Sequence, residues 1–135
     1  MEELKVQATV ENIPAVTEFI DTRLEALGCP MRAQIQLDVA IDELFGNIAY
    51  YAYRGTSGMA AVRFEALEKP RGVRITFEDS GVPYNPLEKE DPDVTLSAEE
   101  RKIGGLGIFL VKKSMDGMTY EYREGHNVLA ITKLF

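Results

Sequence analysis

The spacing of hydrophobic residues changes along the chain from a period of two to a helical period and back, and this alternation limits the possible folds. Hydrophobic side chains occupy every second position over residues 4–10, which predicts a half-buried strand. Over residues 12–28 and 32–53 they recur at helical spacing, which predicts two long helices. A third helix is predicted from Gly104 to Met115. The same reasoning predicts two hairpins, with strands over 60–67, 73–78, 118–123 and 128–134.

The order of these elements predicts an α+β fold. Because the later strands come in adjacent pairs, we expect one mixed, mostly antiparallel sheet with about three helices on one face, a two-layer sandwich. A doubly wound sheet is disfavoured, since strands and helices do not alternate one to one. The 135 residues contain no repeat or linker and predict a single domain over 1–135. Residues 86–102 lack periodicity and are rich in acidic residues, which predicts a long mobile loop.

Composition disfavours several classes of function. The formal net charge of −7 argues against general binding to nucleic acid or to anionic membranes. A single cysteine, Cys29, and a single histidine, His126, allow neither an internal disulfide nor a His-rich zinc site. The sequence also lacks a P-loop and a Gly-x-Ser-x-Gly elbow, and His126 falls in a predicted hairpin turn. With no signal-peptide pattern and no apolar run near the ~18 residues of a membrane span, we expect a cytoplasmic protein.

Three local features have the residue types that chemistry needs. Glu43 and Asn47 are one helical turn apart at the margin of the hydrophobic stripe, where a carboxylate can deprotonate a hydroxyl and an amide oxygen can bind Mg²⁺. Asp79 ends a strand and can accept a hydrogen bond from an exocyclic amine, while Gly81 lets a planar ring approach the backbone. The Gly-Gly-Leu-Gly of residues 104–107 opens a helix, where free amides suit phosphate. Taken alone, each feature has a simpler explanation: a polar helix margin, an Asp-Ser-Gly turn, and tight packing.

The order of the three features resembles that of a known superfamily. A helix with Glu-x-x-x-Asn, a strand ending in Asp-x-Gly-x-Pro-Tyr, an irregular loop and a Gly-Gly-Leu-Gly helix start follow one another as in the gyrase-, chaperone- and histidine-kinase-type ATP-binding domains. Residues 40–49 (AIDELFGNIA) and 103–111 (IGGLGIFLV) narrow the resemblance to the bacterial anti-sigma-factor serine/threonine kinases. The resemblance covers nearly the whole chain. It implies a Bergerat-type ATP-binding fold with a mobile lid at about residues 86–102.

The resemblance also implies a role for each matching residue around ATP and Mg²⁺. Glu43 is then the general base, Asn47 the Mg²⁺ ligand, and Asp79 the group that reads the adenine amine. Gly81 passes beneath the base, and Tyr84 packs near the nucleotide. The other implied ATP-binding residues, of which the first supplies positive charge to the transferred phosphoryl group and the rest form the helix start around the phosphates, are Lys102, Gly104, Gly105, Leu106 and Gly107.

By resemblance, the chain is a serine/threonine kinase that phosphorylates a small anti-anti-sigma protein and, when unoccupied, sequesters a sigma factor. The family also implies a homodimer. Two departures keep a second hypothesis open: Tyr50 and Tyr51 stand where the family often has a histidine, and residues 125–129 lack the threonine often found in the last hairpin. The second hypothesis is a nucleotide-gated protein-binding module without phosphotransfer. A histidine-kinase fragment is disfavoured, since the chain has neither a helical dimerisation hairpin nor a histidine on a helix.

Overall fold

The computed structural model describes residues 1–54, 56–88 and 106–135. Within these ranges, strands and helices follow the order predicted from the sequence, with two short 3-10 helices added at 10–12 and 86–88. The strands are β1 (Glu2–Gln7), β2 (Met59–Glu68), β3 (Arg71–Asp79), β4 (Gly117–Arg123) and β5 (His126–Leu134). The α-helices are α1 (Ile13–Ala26), α2 (Met31–Tyr51) and α3 (Leu106–Ser114).

The strands form one sheet in the order β1-β2-β3-β5-β4. All four pairings are antiparallel, so within the described residues the sheet has none of the parallel pairing that a mixed sheet would include. The central strand β3 pairs with β2 on one side and β5 on the other, which places Asp79 directly opposite Asn127. The predicted α+β fold, with one sheet and three helices, is confirmed.

The hydrophobic core lies between the helices and one face of the sheet. Val62, Phe77 and Leu129 lie side by side on adjacent strands and are all buried. Leu37 and Ile41, one turn apart on α2, are fully buried against them in the same cluster. Burying each such side chain contributes about 1.5–3 kcal/mol, so α2 is held firmly against the sheet. The residues at the margin of this helix are therefore fixed relative to the ends of β3 and β5.

Several boundaries differ from the prediction by a few residues. β1 ends at Gln7 instead of residue 10, because the chain turns into the first 3-10 helix, where the Asn12 side chain donates a hydrogen bond to the Gln7 carbonyl at 2.8 Å. α2 ends at Tyr51 instead of residue 53, and α3 ends at Ser114 instead of residue 115. None of the described helices is both long enough and apolar enough to span a membrane.

The sequence pattern predicted that His126 lies in the hairpin turn, but this residue is the first of β5. The turn is shorter, because Glu124 and Gly125 both have positive φ (53° and 82°) and reverse the chain in two residues. The imidazole Nδ1 lies 3.1 Å from Glu78 Oε2 and 3.2 Å from Ser80 Oγ. Both contacts are made by the same ring nitrogen. A histidine that activates a nucleophile contacts the nucleophile with one ring nitrogen and the orienting carboxylate with the other, so this group is a polar surface contact and not a catalytic triad.

A pair of carboxyl groups lies where α1 packs on α2, and it makes stability depend on pH. Burial, a hydrogen bond with Asp21 and the charges of Asp21 and Glu25 raise the pKa of Asp38 to about 7. The folded protein therefore binds this proton more tightly than the unfolded chain, whose Asp pKa is about 3.9, so stability falls as pH rises from about 4 to 7. We expect Asp38→Asn to stabilise the protein at pH 8 by about 1 kcal/mol, since solvent screens the pair, and to have little effect at pH 4.

Thermal unfolding at pH 4 and pH 8 measures this effect. Asp42→Asn is the matched control, since Asp42 is an exposed carboxylate on the same helix. An equal shift in Tm at both pH values for Asp38→Asn would contradict the coupling between Asp21 and Asp38.

Candidate functional site

A recess opens between the C-terminal half of α2 and the sheet, at the end where β3 stops and β5 begins. Most of its wall is apolar, as in many sites for small organic ligands. Besides the hydroxyl groups of Tyr51, Tyr84 and Tyr120, three polar side chains interrupt that wall. They are Asn47 from α2, Asp79 from β3 and Asn127 from β5.

Asp79 is the buried acid of this recess, with 5% of its surface exposed. Its Oδ1 accepts hydrogen bonds from the Gly81 backbone N–H and from Asn127 Nδ2, each at 2.9 Å. Oδ2 accepts none from the described residues. Burial raises the pKa of Asp79, while the hydrogen bonds from Asn127 and Gly81 and the nearby His126 oppose that rise. The free oxygen is thus an acceptor in an apolar wall, where one donor from a ligand binds strongly.

The backbone after Asp79 lies directly against the end of α2. A methyl group at Gly81 would collide with the Ala52 carbonyl, so only glycine fits there. The Val82 N–H donates to that same carbonyl at 2.9 Å. Tyr53 adds a second link, because its hydroxyl accepts from the Ser80 N–H at 2.9 Å and donates to the Met59 carbonyl at 2.6 Å. The backbone of Ser80 and Val82, in the wall of the recess, is therefore linked to Tyr53 and Ala52, the two residues directly after α2.

We expect Gly81→Ala to destabilise the fold by about 1–3 kcal/mol, because the collision is with backbone and cannot be relieved by a side-chain rotation. Gly46→Ala is the matched control. A methyl group at Gly46 meets no atom within 4 Å, and alanine favours a helix interior, so the gain should be up to about 1 kcal/mol. Denaturant unfolding of both variants measures the difference, and equal stabilities would refute the close contact with Ala52.

Tyr84 and Tyr51 form an aromatic side of the recess. Their ring centroids are 5.3 Å apart and their planes differ by 23°, which is a stacked arrangement. Tyr51 is the last residue of α2, and Tyr84 follows β3, so the stack joins the same two segments as the Gly81 contact. Both rings line the recess.

Glu43 lies one turn before Asn47 on α2, and its carboxylate faces the first turn of α3. A methyl group at Gly107 would collide with that carboxylate, so the two residues are in direct contact. Glu43 has no hydrogen bond or ion pair with the described residues. A carboxylate at the start of a helix lies where the helix dipole is favourable for negative charge. The structure thus brings the helical turn of Glu43 and Asn47 against Gly107.

Asn47 has an amide that the described part of the chain leaves unused. Its Nδ2 is buried without a hydrogen-bond partner among those residues. A buried amide nitrogen that lacks a partner costs about 1–3 kcal/mol, so a water molecule or a bound acceptor at this position would stabilise the fold. The described residues contain no cluster of three or more His, Cys, Asp or Glu side chains that could hold a metal ion. A cation here would therefore take its other ligands from water and from an anionic ligand such as phosphate.

Of the residues predicted for the site, Glu43, Asn47, Asp79, Gly81 and Tyr84 lie around the recess or against Gly107. Leu106 is described as the first residue of α3. Lys102, Gly104 and Gly105, together with most of the predicted lid, lie outside the described residues.

Sequence reasoning missed two residues that the structure brings to the site. Asn127 is 6% exposed and donates to Asp79, and Tyr120 on β4 donates its hydroxyl hydrogen to Asn127 Oδ1. The available signal was the strand register, because Asn127 pairs with Asp79 across β3 and β5. A hairpin prediction alone gives the pairing of β4 with β5 but not that of β5 with β3.

Comparison with known proteins agrees with the fold. A family model described as "Histidine kinase-like ATPase domain" matches residues 6–133. Serine/threonine-protein kinase BtrW of Bordetella bronchiseptica is 29% identical over 102 residues, which cover 75% of this chain and 70% of BtrW. Serine-protein kinase RsbW of Listeria monocytogenes is 30% identical over 129 residues, which cover 87% of this chain and 81% of that RsbW. RsbW of Bacillus thuringiensis is 30% identical over 128 residues, covering 87% and 79%.

Proposed function

The chain belongs to the histidine kinase-like ATPase domain family, and from this premise we propose that it is an ATP-dependent serine/threonine protein kinase of the anti-sigma-factor type. The family resemblance predicted from the sequence is confirmed by the family match and by the serine kinases among its relatives. The activity itself is the proposal, and the residues around the recess supply its chemistry.

The observation that carries the proposal is the convergence of three distant segments of the chain near the C-terminal half of α2. Asp79 offers a buried acceptor in the recess, while among the described residues the Asn47 Nδ2 has no hydrogen-bond partner and the Glu43 carboxylate, which lies against Gly107, has no ion pair. In phosphate transfer from ATP, Asp79 can accept a hydrogen bond from the adenine amine and Asn47 can hold a cation beside the phosphates. Glu43 can accept the proton of the hydroxyl nucleophile. If one of these three groups had a purely structural role, the positions of the other two would still need an explanation.

In the proposed complex, adenine enters the apolar recess and its exocyclic amine donates to Asp79 Oδ2. Gly81 has no side chain, so the base can lie close to the backbone between Asp79 and Val82. Tyr84, stacked on Tyr51, closes one side and excludes water from that hydrogen bond. These contacts orient the nucleotide, with its phosphates towards Asn47 and Gly107.

Asn47 would hold Mg²⁺ through its amide oxygen, with phosphate oxygens and water as the other ligands. Its unused, partly buried amide fits that role, since amide oxygen and nitrogen exchange places by a rotation of the side chain. When bound, Mg²⁺ neutralises charge on the phosphates. Gly107 at the start of α3 offers a backbone that phosphate can approach closely, because it carries no side chain.

Glu43 would act as general base on the substrate. Its carboxylate accepts the proton of a serine or threonine hydroxyl, whose oxygen forms a bond to the γ-phosphorus of ATP. The bond from that phosphorus to the β,γ-bridging oxygen breaks, and ADP leaves. The rate of such a reaction depends mainly on how the reacting groups are positioned. The contact with Gly107 therefore matters, because it holds Glu43 beside the phosphates.

We propose that the substrate is a small anti-anti-sigma protein and that a sigma factor binds the same chain, as the resemblance implies. The support is the similarity to serine-protein kinases over more than two thirds of their length. A homodimer is part of the same proposal.

The test is transfer of labelled γ-phosphate from Mg-ATP in an extract of the source organism. One small labelled protein with phosphoserine or phosphothreonine supports the kinase and identifies its substrate. Binding of ATP without any labelled product, with ATP-dependent capture of a partner, would instead establish a nucleotide-gated binding module. Absence of ATP binding would refute both.

A further inference from the structure

Asn127 has the most complete set of hydrogen bonds of any side chain at the recess. Its Nδ2 donates to Asp79 Oδ1 and to the Val82 carbonyl, each at 2.9 Å. Its Oδ1 accepts from the Tyr84 backbone N–H at 3.1 Å and from the Tyr120 hydroxyl. An asparagine side chain has two N–H donors and two acceptor positions, so all four are used.

The orientation of this amide is fixed by its partners. The Tyr84 N–H can only donate, so it requires the oxygen of Asn127 on its side. The Val82 carbonyl can only accept, so it requires the nitrogen on the other side. The N–H that reaches Asp79 therefore cannot exchange with an acceptor, and Asp79 always receives a donor from Asn127.

This donor decides which oxygen of Asp79 is left for a ligand. Asn127 and Gly81 both donate to Oδ1, which leaves Oδ2 without a donor among the described residues. A carboxylate held in this way is an acceptor only. It matches an amine, and it repels a carbonyl oxygen in the same place.

We propose that Asn127 is the positioning residue that makes the recess select adenine over a 6-oxopurine, by holding Asp79 as an acceptor and by tying Val82 and Tyr84 to it. The inference rests on the proposed function, since it assumes that the base of ATP occupies the recess. Adenine has an amine at the position where hypoxanthine has a carbonyl. Without the Asn127 donors, Asp79 is free to rotate or to take up a proton and donate, and discrimination between the two bases is lost.

The experiment measures the affinities of ATP and of inosine triphosphate (ITP) by isothermal titration calorimetry. The ratio of the two affinities is the informative readout, because general damage to the recess weakens both nucleotides together. We expect the wild type to prefer ATP, and Asn127→Leu to lower that preference by about tenfold or more, the loss of one charge-assisted hydrogen bond. Asn127→Ser, which is smaller and admits water, should change the ratio in the same direction if the leucine variant does not fold.

Asn85→Leu is the matched control, because it makes the same substitution near the recess at a side chain that bonds the Leu87 N–H and not Asp79. Its ATP-to-ITP ratio should equal that of the wild type. An unchanged ratio in a folded Asn127 variant, with ATP still bound by the wild type, would overturn this inference alone. Failure of the wild type to bind ATP would overturn the proposed function and this inference with it.

Discussion

Replacing Glu43 with alanine is expected to reduce phosphate transfer by about 10²–10⁴-fold while leaving ATP affinity within about twofold. The carboxylate lies against Gly107 and not in the wall that would hold the base, so its loss removes the proton acceptor and spares nucleotide binding. Single-turnover transfer of labelled γ-phosphate to the substrate protein measures the first quantity, and calorimetry measures the second.

Two further variants make this result specific to the position of the carboxylate. Asp42→Ala removes the neighbouring carboxylate, which is exposed, and should leave transfer unchanged. Gly107→Ala places a methyl group where the Glu43 carboxylate lies, and that flexible end can move away at little cost in stability. It should therefore lower transfer without unfolding the protein. Full transfer by Glu43→Ala would exclude Glu43 as the base.

The second large effect is expected from Asp79→Asn, which should weaken ATP binding by about ten- to a hundredfold. The variant keeps the Oδ1 that accepts from Gly81 and Asn127, but it replaces Oδ2 by an NH₂ group, which opposes the adenine amine. A hydrogen bond to a charged group contributes about 1.5–3 kcal/mol, and each 1.4 kcal/mol is tenfold in affinity. Calorimetric titration with ATP gives the value directly, and an unaltered binding isotherm would refute the adenine role.

The same substitution should raise the stability of the nucleotide-free protein. Burial raises the pKa of Asp79, so the folded state holds this proton to higher pH than the unfolded chain does. Wild-type stability therefore falls as pH rises from the unfolded value of about 3.9 through the higher folded value, and the asparagine variant lacks that loss. Glu78→Gln is the control, since Glu78 is ion-paired with Arg63 and should lose stability. A lower Tm for Asp79→Asn at pH 8 would contradict this account.

The fold was predictable because each element has its own signal. The strand and helix periods identified β1 to β5 and α1 to α3, and helical geometry alone placed Glu43 beside Asn47. The turns were predicted less accurately. Glu124 and Gly125, both with positive φ, make the last hairpin turn shorter than predicted, so His126 lies in β5. Boundaries of this kind depend on tertiary contacts, such as those of His126 with Glu78, that no local pattern contains.

The site was predictable only in part, because half of it is made by contacts between distant segments. The family resemblance implied that Glu43 and Gly107 belong to one ATP site, but the contact between them follows from no spacing in the chain. Asn127 is 48 residues from Asp79, and it lies in the segment where the sequence lacks the expected threonine. In the structure, Asn127 supplies a side-chain amide in this segment, and all four of its hydrogen-bonding positions are occupied. Which side chain supports Asp79 was therefore a question of sheet register and not of motif.

The links from Tyr53 and Ala52 to the backbone at Ser80 and Val82 affect how the protein opens transiently. Two hydrogen bonds, from the Ser80 N–H to the Tyr53 hydroxyl and from the Val82 N–H to the Ala52 carbonyl, join the residues after α2 to those after β3. With the Gly81 contact, they prevent either segment from detaching while the other stays in place. Local unfolding occurs in cooperative units set by such contacts. The last turn of α2 and the segment after β3 are thus one unit, and a fluctuation that frays the end of the helix opens this wall of the recess in the same event.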